Sequence, residues 1–191
     1  KGGHGKMSLQ EAIQKSCDVY FYELARKVGV KRIGAMAKHL GLGQSYELPL
    51  TGISKGFVPT KKWKKERFGK SWLVGDTLNI GIGQGFSLAT PLQLAIMTAR
   101  IASGREVKPN LIRNTEKELN KMKTLSIRKE TLAAIKKGMY DVVNEKKGTA
   151  FKFRSTDENF LIAGKTGTSQ VRRITREERE SGVIKNEDLP W

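Results

Sequence analysis

The chain of 191 residues is long enough for one hydrophobic core, and its net charge of +17 makes it strongly basic. It has no apolar run close to the roughly 18 to 20 residues of a membrane span, and its first residues lack the apolar core of a signal peptide. The single cysteine, Cys17, excludes an internal disulfide. Lysines and arginines are spread along the chain without a nucleic-acid-binding motif, so a basic nucleic-acid-binding module is kept only as an alternative.

Three helices are predicted in the first 41 residues. Ser8 and Glu11 have the spacing of a capping box, which predicts that a helix begins there. A largely apolar segment over residues 19–25 predicts a second helix, and one apolar face over residues 31–40 predicts a third. A glycine follows each of the last two and is expected to end it.

Residues 41–89 are rich in glycine and show little periodicity, so a long ordered loop is predicted there. Within it, the run from Lys61 to Phe68 alternates cations with aromatic side chains. We interpret this run as a solvated loop that its aromatic residues anchor to the domain. Contact with anionic lipid headgroups, with glycan or with a partner protein is the functional alternative.

The second half of the chain predicts helices followed by sheet. Thr90 and Pro91 provide an N-cap and a first helical residue, so a central helix is predicted to begin there. Residues 106–113 predict a strand, and residues 129–143 predict a helix. A further strand begins at Phe160, with a hairpin partner expected near residues 170–174. The predicted fold class is α/β (α+β), with a helical lobe over about residues 1–150 packed on part of an antiparallel sheet over about residues 155–191.

The predicted strand from Phe160 ends in an unusual hexapeptide, which begins at Lys165. The lysine supplies a cation, Thr166 and Thr168 supply hydroxyl groups, and Gly167 allows another group to approach the backbone. Charge-assisted hydrogen bonds from such groups are well suited to a carboxylate. The hexapeptide therefore predicts a carboxylate-binding edge of a sheet.

A second candidate for chemistry is the tripeptide Ser16-Cys17-Asp18, between the first two predicted helices. A serine and an acid at this place fit the N-cap of the following helix. The functional interpretation is that the Ser16 hydroxyl relays protons and that Asp18 contacts a substrate amide. His4 and His39 have no acidic or cysteine partner at ligand spacing, so a metal site is not expected.

Together these motifs resemble a known family. The Lys165 tripeptide and Ser16-Cys17-Asp18 correspond to two of the three elements of the penicillin-recognising serine enzymes. Further motifs resemble, in the same order, the elongation-type class B penicillin-binding proteins, known as penicillin-binding protein 2. These are Pro59-Thr60, Trp63-Lys64, Arg67-Phe68, Trp72, Gly75-Asp76-Thr77, residues 80–85, residues 89–93, Gly138-Met139-Tyr140 and Gly148-Thr149-Ala150.

The resemblance implies roles for individual residues. Ser16 is then the proton-relay serine and Asp18 the third residue of its motif, although an ionised aspartate in place of the commoner asparagine accepts hydrogen bonds and cannot donate them. Lys165 supports the site electrostatically. The hydroxyl groups of Thr166 and Thr168 bind the substrate's terminal carboxylate, Gly167 leaves room for the substrate, and the Thr168 backbone N–H is one of two oxyanion-hole donors.

The resemblance also implies an activity and a setting. It implies a D,D-transpeptidase domain that cross-links peptidoglycan stem peptides by serine acyl transfer, is acylated by β-lactams and requires no metal or organic cofactor. Elongation-machinery membrane proteins are the implied partners, no nucleic acid is expected, and a membrane anchor outside these residues would hold the domain on the periplasmic face of the bacterial inner membrane. A serine β-lactamase or penicillin sensor domain is the other enzymatic alternative.

The third element of the family, S-x-x-K, is expected several tens of residues before Ser16, but only 15 residues precede it. The sequence Ser126-Ile127-Arg128-Lys129 has this spacing and occurs after the second element instead. We interpret Ser126 as an N-cap and Glu130 as a favourable charge in the first helical turn. We therefore expect the chain to be an internal fragment of a transpeptidase domain that lacks its nucleophile and is inactive by itself.

Overall fold

A computed structural model describes residues 3–113, 121–168 and 180–181. Regular structure within residues 3–168, as described, is helical. The elements are α1 (Leu9–Gln14), α2 (Asp18–Val28), α3 (Val30–His39), α4 (Lys61–Phe68), α5 (Val74–Gly81), α6 (Pro91–Ser103), α7 (Lys129–Asn144) and a 3-10 helix (Phe151–Phe153).

The N-terminal helices confirm the sequence predictions. Ser8 caps α1 through the predicted capping box, since its Oγ accepts from the Glu11 N–H at 3.3 Å and its own N–H donates to the Glu11 carboxylate at 2.9 Å. The helix α1 packs against α7 as well as against α2, its neighbour in sequence. Ile13 joins Val142 and Val143 in the buried core between them. This packing fixes the end of α1 relative to the C-terminal half of α7.

The predicted loop over residues 41–89 is wrong in its middle, where α4 and α5 form. The Thr60 side chain caps α4 by accepting from the Trp63 N–H at 3.1 Å, and Gly69 ends the helix in the left-handed conformation. The exposed cations of α4 leave it with almost no apolar stripe, so periodicity did not reveal it. The expected anchoring by aromatic residues is confirmed, because Trp63 packs on the rings of Phe57, Phe68 and Phe86.

A buried ion pair connects α4 to α5. The Lys64 ammonium donates to the Asp76 carboxylate, and the two side chains are only 8% and 14% exposed. Asp76 also accepts from the Leu73 N–H at 2.7 Å, which stabilises the first turn of α5. The Lys64 Nζ atom lies 5.9 Å from the ring centroid of Trp72. The helix α5 in turn packs along α2.

The helix α6 has the N-terminus that the sequence predicts, with Thr90 as the N-cap and Pro91 at its start. The prediction that it is central is wrong, because its buried residues are Gln93, Ile96 and Arg100 while Leu94 is 46% exposed. The Gln93 amide donates to the carbonyl oxygens of Gln44 and Lys55 at 2.9 and 2.8 Å, and the Arg100 guanidinium donates to that of His39 at 2.7 Å. These hydrogen bonds hold the long connection after α3 against the helix.

The predicted strand over residues 106–113 does not form in the described residues. One antiparallel bridge joins Arg105 to Thr124 in its place. The segment after Phe160 also forms no ladder within the described residues, and two of its polar backbone groups bind to α7. Its predicted hairpin partner near residues 170–174 lies outside the described residues. Among the helices that the structure describes, none combines the length and the apolar character needed to cross a membrane.

Candidate active site

Ser16 lies in the sharp turn between α1 and α2. Its φ of 51° is in the left-handed region, where a residue with a side chain is strained by about 1–3 kcal/mol. Two hydrogen bonds hold the turn, from the Ser16 N–H to the Ile13 carbonyl at 3.3 Å and from the Cys17 N–H to the Ala12 carbonyl at 3.0 Å. Because Ala12 and Ile13 are buried, this strained turn is fixed to the core below it.

The segment that carries Lys165 is attached to α7. The Gly164 N–H donates to the Met139 carbonyl at 3.1 Å. The Asn144 side-chain amide donates to the Ile162 carbonyl and to the Tyr140 carbonyl, both at 2.9 Å. Since α1 also packs on α7, the same helix positions Ser16 and Lys165.

The Lys165 ammonium reaches the predicted partners. Its Nζ atom donates to Ser16 Oγ, to the backbone oxygen of Thr166 at 3.0 Å and to Thr166 Oγ1 at 3.2 Å. The two hydroxyl oxygens of Ser16 and Thr166 are 3.2 Å apart. The structure thus brings together three of the residues predicted from two distant motifs.

Burial lowers the pKa of Lys165, and the negative charge of Asp18 opposes this shift. A lower pKa means that a larger fraction of the lysine is neutral near pH 7 than for an ordinary surface lysine. A lysine of this kind can take part in proton transfer as well as attract an anion.

A cavity of about 800 Å³ opens beside Ser16. The other two residues of its tripeptide, Cys17 and Asp18, also line it. Asp18 is the first residue of α2, and the N-cap is Cys17, which makes no side-chain capping bond. The interpretation of Ser16 as the N-cap of α2 is therefore wrong, and its hydroxyl is directed to Lys165 instead.

Gly167 and Thr168 follow Thr166 on the exposed side of the segment. A side-chain atom placed on Gly167 would meet nothing within 4 Å, so there is open space beside it. Their predicted roles in holding a carboxylate and an oxyanion stay predictions, as does the amide contact of Asp18.

Thr149 belongs to the same cluster and was not among the predicted site residues. Its Oγ1 atom lies 2.9 Å from Thr166 Oγ1 and 3.4 Å from Ser16 Oγ. The sequence contained one signal for it, the Gly148-Thr149-Ala150 motif that contributes to the family resemblance. Thr149 is separated by 133 positions from Ser16 and by 17 from Thr166, so local sequence patterns could not reveal that these residues are close in space.

The sequence Ser126-Ile127-Arg128-Lys129 lies at the opposite end of α7 from this cluster. The helix has 16 residues and is therefore about 24 Å long, with Ser126 before its first residue and Thr149 beyond its last. The prediction that Ser126 caps this helix is wrong, because Arg128 is the N-cap. Glu130 does lie in the first turn, as expected.

Comparison with known proteins gives one consistent result. Residues 1–183 match the family described as penicillin binding protein transpeptidase domain. The peptidoglycan D,D-transpeptidase MrdA of Haemophilus influenzae is 35% identical over 193 residues, which cover 94% of this chain and 29% of the relative. The chain thus spans less than a third of the length of this relative.

Solved structures agree with the sequence comparison. A complex between penicillin-binding protein 2 and MreC from Helicobacter pylori matches with a TM-score of 0.80 and 38% identity, over 90% of this chain and 32% of the other. Penicillin-binding protein 2 of Pseudomonas aeruginosa, in complex with WCK 5153, matches with a TM-score of 0.72 and 35% identity, over 87% and 39%. The mixed α/β fold class predicted from the sequence is confirmed by these likenesses.

Proposed function

The chain belongs to the penicillin binding protein transpeptidase domain family, and from this premise we propose that the intact protein is a peptidoglycan D,D-transpeptidase of the elongation type. The observation that supports this most directly is the hydrogen bond from Lys165 to Ser16, which joins two predicted motifs 149 residues apart. Ser16 lines the cavity and Lys165 lies on an exposed segment, so a peptide can reach both residues.

In the proposed reaction, the hydroxyl oxygen of the nucleophilic serine of the intact protein attacks the carbonyl carbon between the last two D-alanines of a stem peptide. A C–O bond forms, the C–N bond breaks, and the terminal D-alanine leaves. The proton of the attacking hydroxyl passes to the leaving nitrogen, and Ser16 relays it. The nitrogen of an acceptor amine then attacks the ester carbonyl carbon, a new C–N bond forms, the C–O bond to the serine breaks, and a proton of the amine passes to the serine oxygen.

Lys165 has two proposed tasks in this reaction. Its ammonium holds the Ser16 oxygen in place, and its positive charge attracts the terminal carboxylate of the stem peptide. The hydroxyl groups of Thr166 and Thr168 would bind that carboxylate beside the open space at Gly167. The Thr168 N–H would donate to the oxyanion, and Asp18, on the cavity wall, would contact a substrate amide.

The proposal extends to architecture and partners. We place a helical lobe over about residues 1–150 against an antiparallel sheet that begins near residue 155. We assign the domain to the periplasmic face of the inner membrane, with the anchor elsewhere in the intact protein. Because the Helicobacter pylori relative was solved in complex with MreC, a protein of that kind is the proposed partner.

Labelling of the intact protein with a fluorescent penicillin tests the proposed function. We expect a stable labelled band at the intact mass, and we expect Lys165→Met to lower the labelling rate about a thousandfold, within the range for loss of a group that takes part in proton transfer. Lys152→Met, which changes an exposed lysine, is the control and should label normally. Absence of labelling in the wild-type protein would contradict the proposal, and rapid hydrolysis of the penicillin would favour a β-lactamase.

A further inference from the structure

We propose that Thr149 is a positioning residue that holds the Ser16 and Thr166 hydroxyl groups in place for the proton relay. This inference rests on the proposed function, since it concerns how the same site carries out acylation. It assigns a task to a residue that neither the predicted catalytic set nor the predicted substrate-binding set contained. The backbone of Thr149 is fixed between two helices, and its hydroxyl lies within hydrogen-bond distance of both other hydroxyl groups of the cluster.

The backbone of Thr149 is fixed on both sides. Its N–H donates to the carbonyl of Gln14, the last residue of α1, at 3.2 Å. The flanking residues bind to the end of α7, from the Gly148 N–H to the Glu145 carbonyl at 2.8 Å and from the Ala150 N–H to the Val142 carbonyl at 3.0 Å. Thr149 therefore connects the helix that ends before Ser16 with the helix that holds the Lys165 segment.

Gly148 makes this close approach possible. A side-chain carbon at this position would collide with the carbonyl oxygens of Asp141 and Val142, which belong to the backbone of α7 and cannot rotate away. The absence of a side chain at residue 148 is thus a condition for placing the next residue in the site. Because residue 148 must be glycine, the backbone of Thr149 can lie close against α7, and this fixes where its side chain begins.

The Thr149 hydroxyl completes a cluster of three hydroxyl groups. Its Oγ1 atom lies 2.9 Å from Thr166 Oγ1 and 3.4 Å from Ser16 Oγ, and the Ser16 and Thr166 oxygens are 3.2 Å apart. A hydroxyl group has one proton to donate and two lone pairs that accept, so either member of each pair can be the donor. Lys165 donates to both Ser16 Oγ and Thr166 Oγ1, which occupies one lone pair on each.

Loss of the Thr149 hydroxyl changes the surroundings of both other hydroxyl groups. Ser16 Oγ and Thr166 Oγ1 each lose a hydrogen-bond partner that has a fixed backbone. Ser16, in its strained turn, then keeps Lys165 and Thr166 as the partners of its hydroxyl among the described residues. Thr149 thus helps to hold the relay serine between the Lys165 ammonium and the cavity beside it.

The test compares Thr149→Val with Thr149→Ser in the intact protein. Valine keeps the shape and removes the hydroxyl, whereas serine keeps the hydroxyl and removes a methyl group. We expect Thr149→Val to lower the acylation rate constant at saturating fluorescent penicillin about tenfold, the size of one lost hydrogen bond. The penicillin concentration that gives half of that rate should stay unchanged, because the hydroxyl does not hold the ligand.

Thr149→Ser should acylate within about twofold of the wild-type rate, and a fall as large as in Thr149→Val would overturn the inference by showing that the methyl group matters. Thr98→Val is the matched control, since it removes an exposed threonine hydroxyl in α6. A wild-type rate in Thr149→Val would overturn the inference alone. A wild-type protein that is not labelled at all would overturn the proposed function and the inference with it.

Discussion

Two lysines show how differently the same side chain is used in two regions of this molecule, one buried and one exposed beside the candidate site. Lys64 lies in the aromatic region between α4 and α5, where it pairs with Asp76 beside the rings of Trp72 and Phe86. Lys165 lies in the hydroxyl-lined site, where the hydrogen bonds found in the described residues go to neutral oxygens of Ser16 and Thr166.

The difference lies in what each cation is free to do. A buried carboxylate neutralises Lys64 and commits it to holding two helices together. Neutral hydroxyl and carbonyl oxygens orient Lys165 without neutralising it, and burial lowers its pKa. In the proposed site, the charge of Lys165 stays available for an anionic substrate, whereas the ion-paired Lys64 stabilises the fold.

The largest expected effect comes from breaking the pair in the aromatic region. Asp76→Ala leaves the buried Lys64 ammonium without its counter-charge, so we expect a loss of about 3–5 kcal/mol in the free energy of unfolding. The midpoint of thermal unfolding of the intact protein measures this loss. Glu66→Ala, which removes an exposed pair with Lys62 across 3.7 Å, should cost less than about 1 kcal/mol. Equal shifts in the two variants would show that burial of the pair is unimportant.

A smaller effect is expected from adding one methyl group beneath each region. Gly148→Ala pushes Thr149 away from α7, whereas Gly81→Ala meets the Ala25 side chain between α5 and α2. Both should destabilise by about 1–3 kcal/mol through overpacking. Only Gly148→Ala should also slow acylation by penicillin beyond its effect on stability, measured at a temperature where both variants are folded. Similar acylation rates in the two variants would remove the distinction between the regions.

The smallest effect concerns the pH dependence of stability. Because the pKa of Lys165 is lowered in the folded state, its contribution is complete above the usual lysine value and is lost as the pH falls through the folded pKa. Lys137 provides the opposite sign, since its hydrogen bond to Asp141 raises its pKa and its contribution is lost as the pH rises. Relative to the wild type, the thermal midpoint of Lys165→Met should therefore change with pH below the ordinary lysine pKa of about 10.4, and that of Lys137→Met above it, with opposite signs. Shifts of the same sign would contradict the assignment.

The parts of the fold that the sequence predicted correctly are those specified by neighbouring residues. The capping box of Ser8 and Glu11 and the Thr90-Pro91 pair are complete within four residues, and both helices begin where expected. The helix α4 was missed because its cations hide any apolar stripe, although Thr60 and Gly69 marked its two ends.

Long-range features set the limit of prediction. The apolar run after Phe160 indicated a strand, but a strand needs a partner, and the segment binds α7 in the described structure. The family resemblance identified Ser16, Lys165 and Thr166 from their motifs, and the structure places them together. Thr149 required the fold itself, because the packing of α1 on α7 brings it to the site.

The separation of the site residues along the chain has a consequence for the order in which the molecule matures. Ser16 is synthesised 133 residues before Thr149 and 149 residues before Lys165, so its hydroxyl stays without these partners through most of translation. A chain still under synthesis that ends before residue 165 therefore cannot contain the assembled cluster of Ser16, Thr149, Thr166 and Lys165.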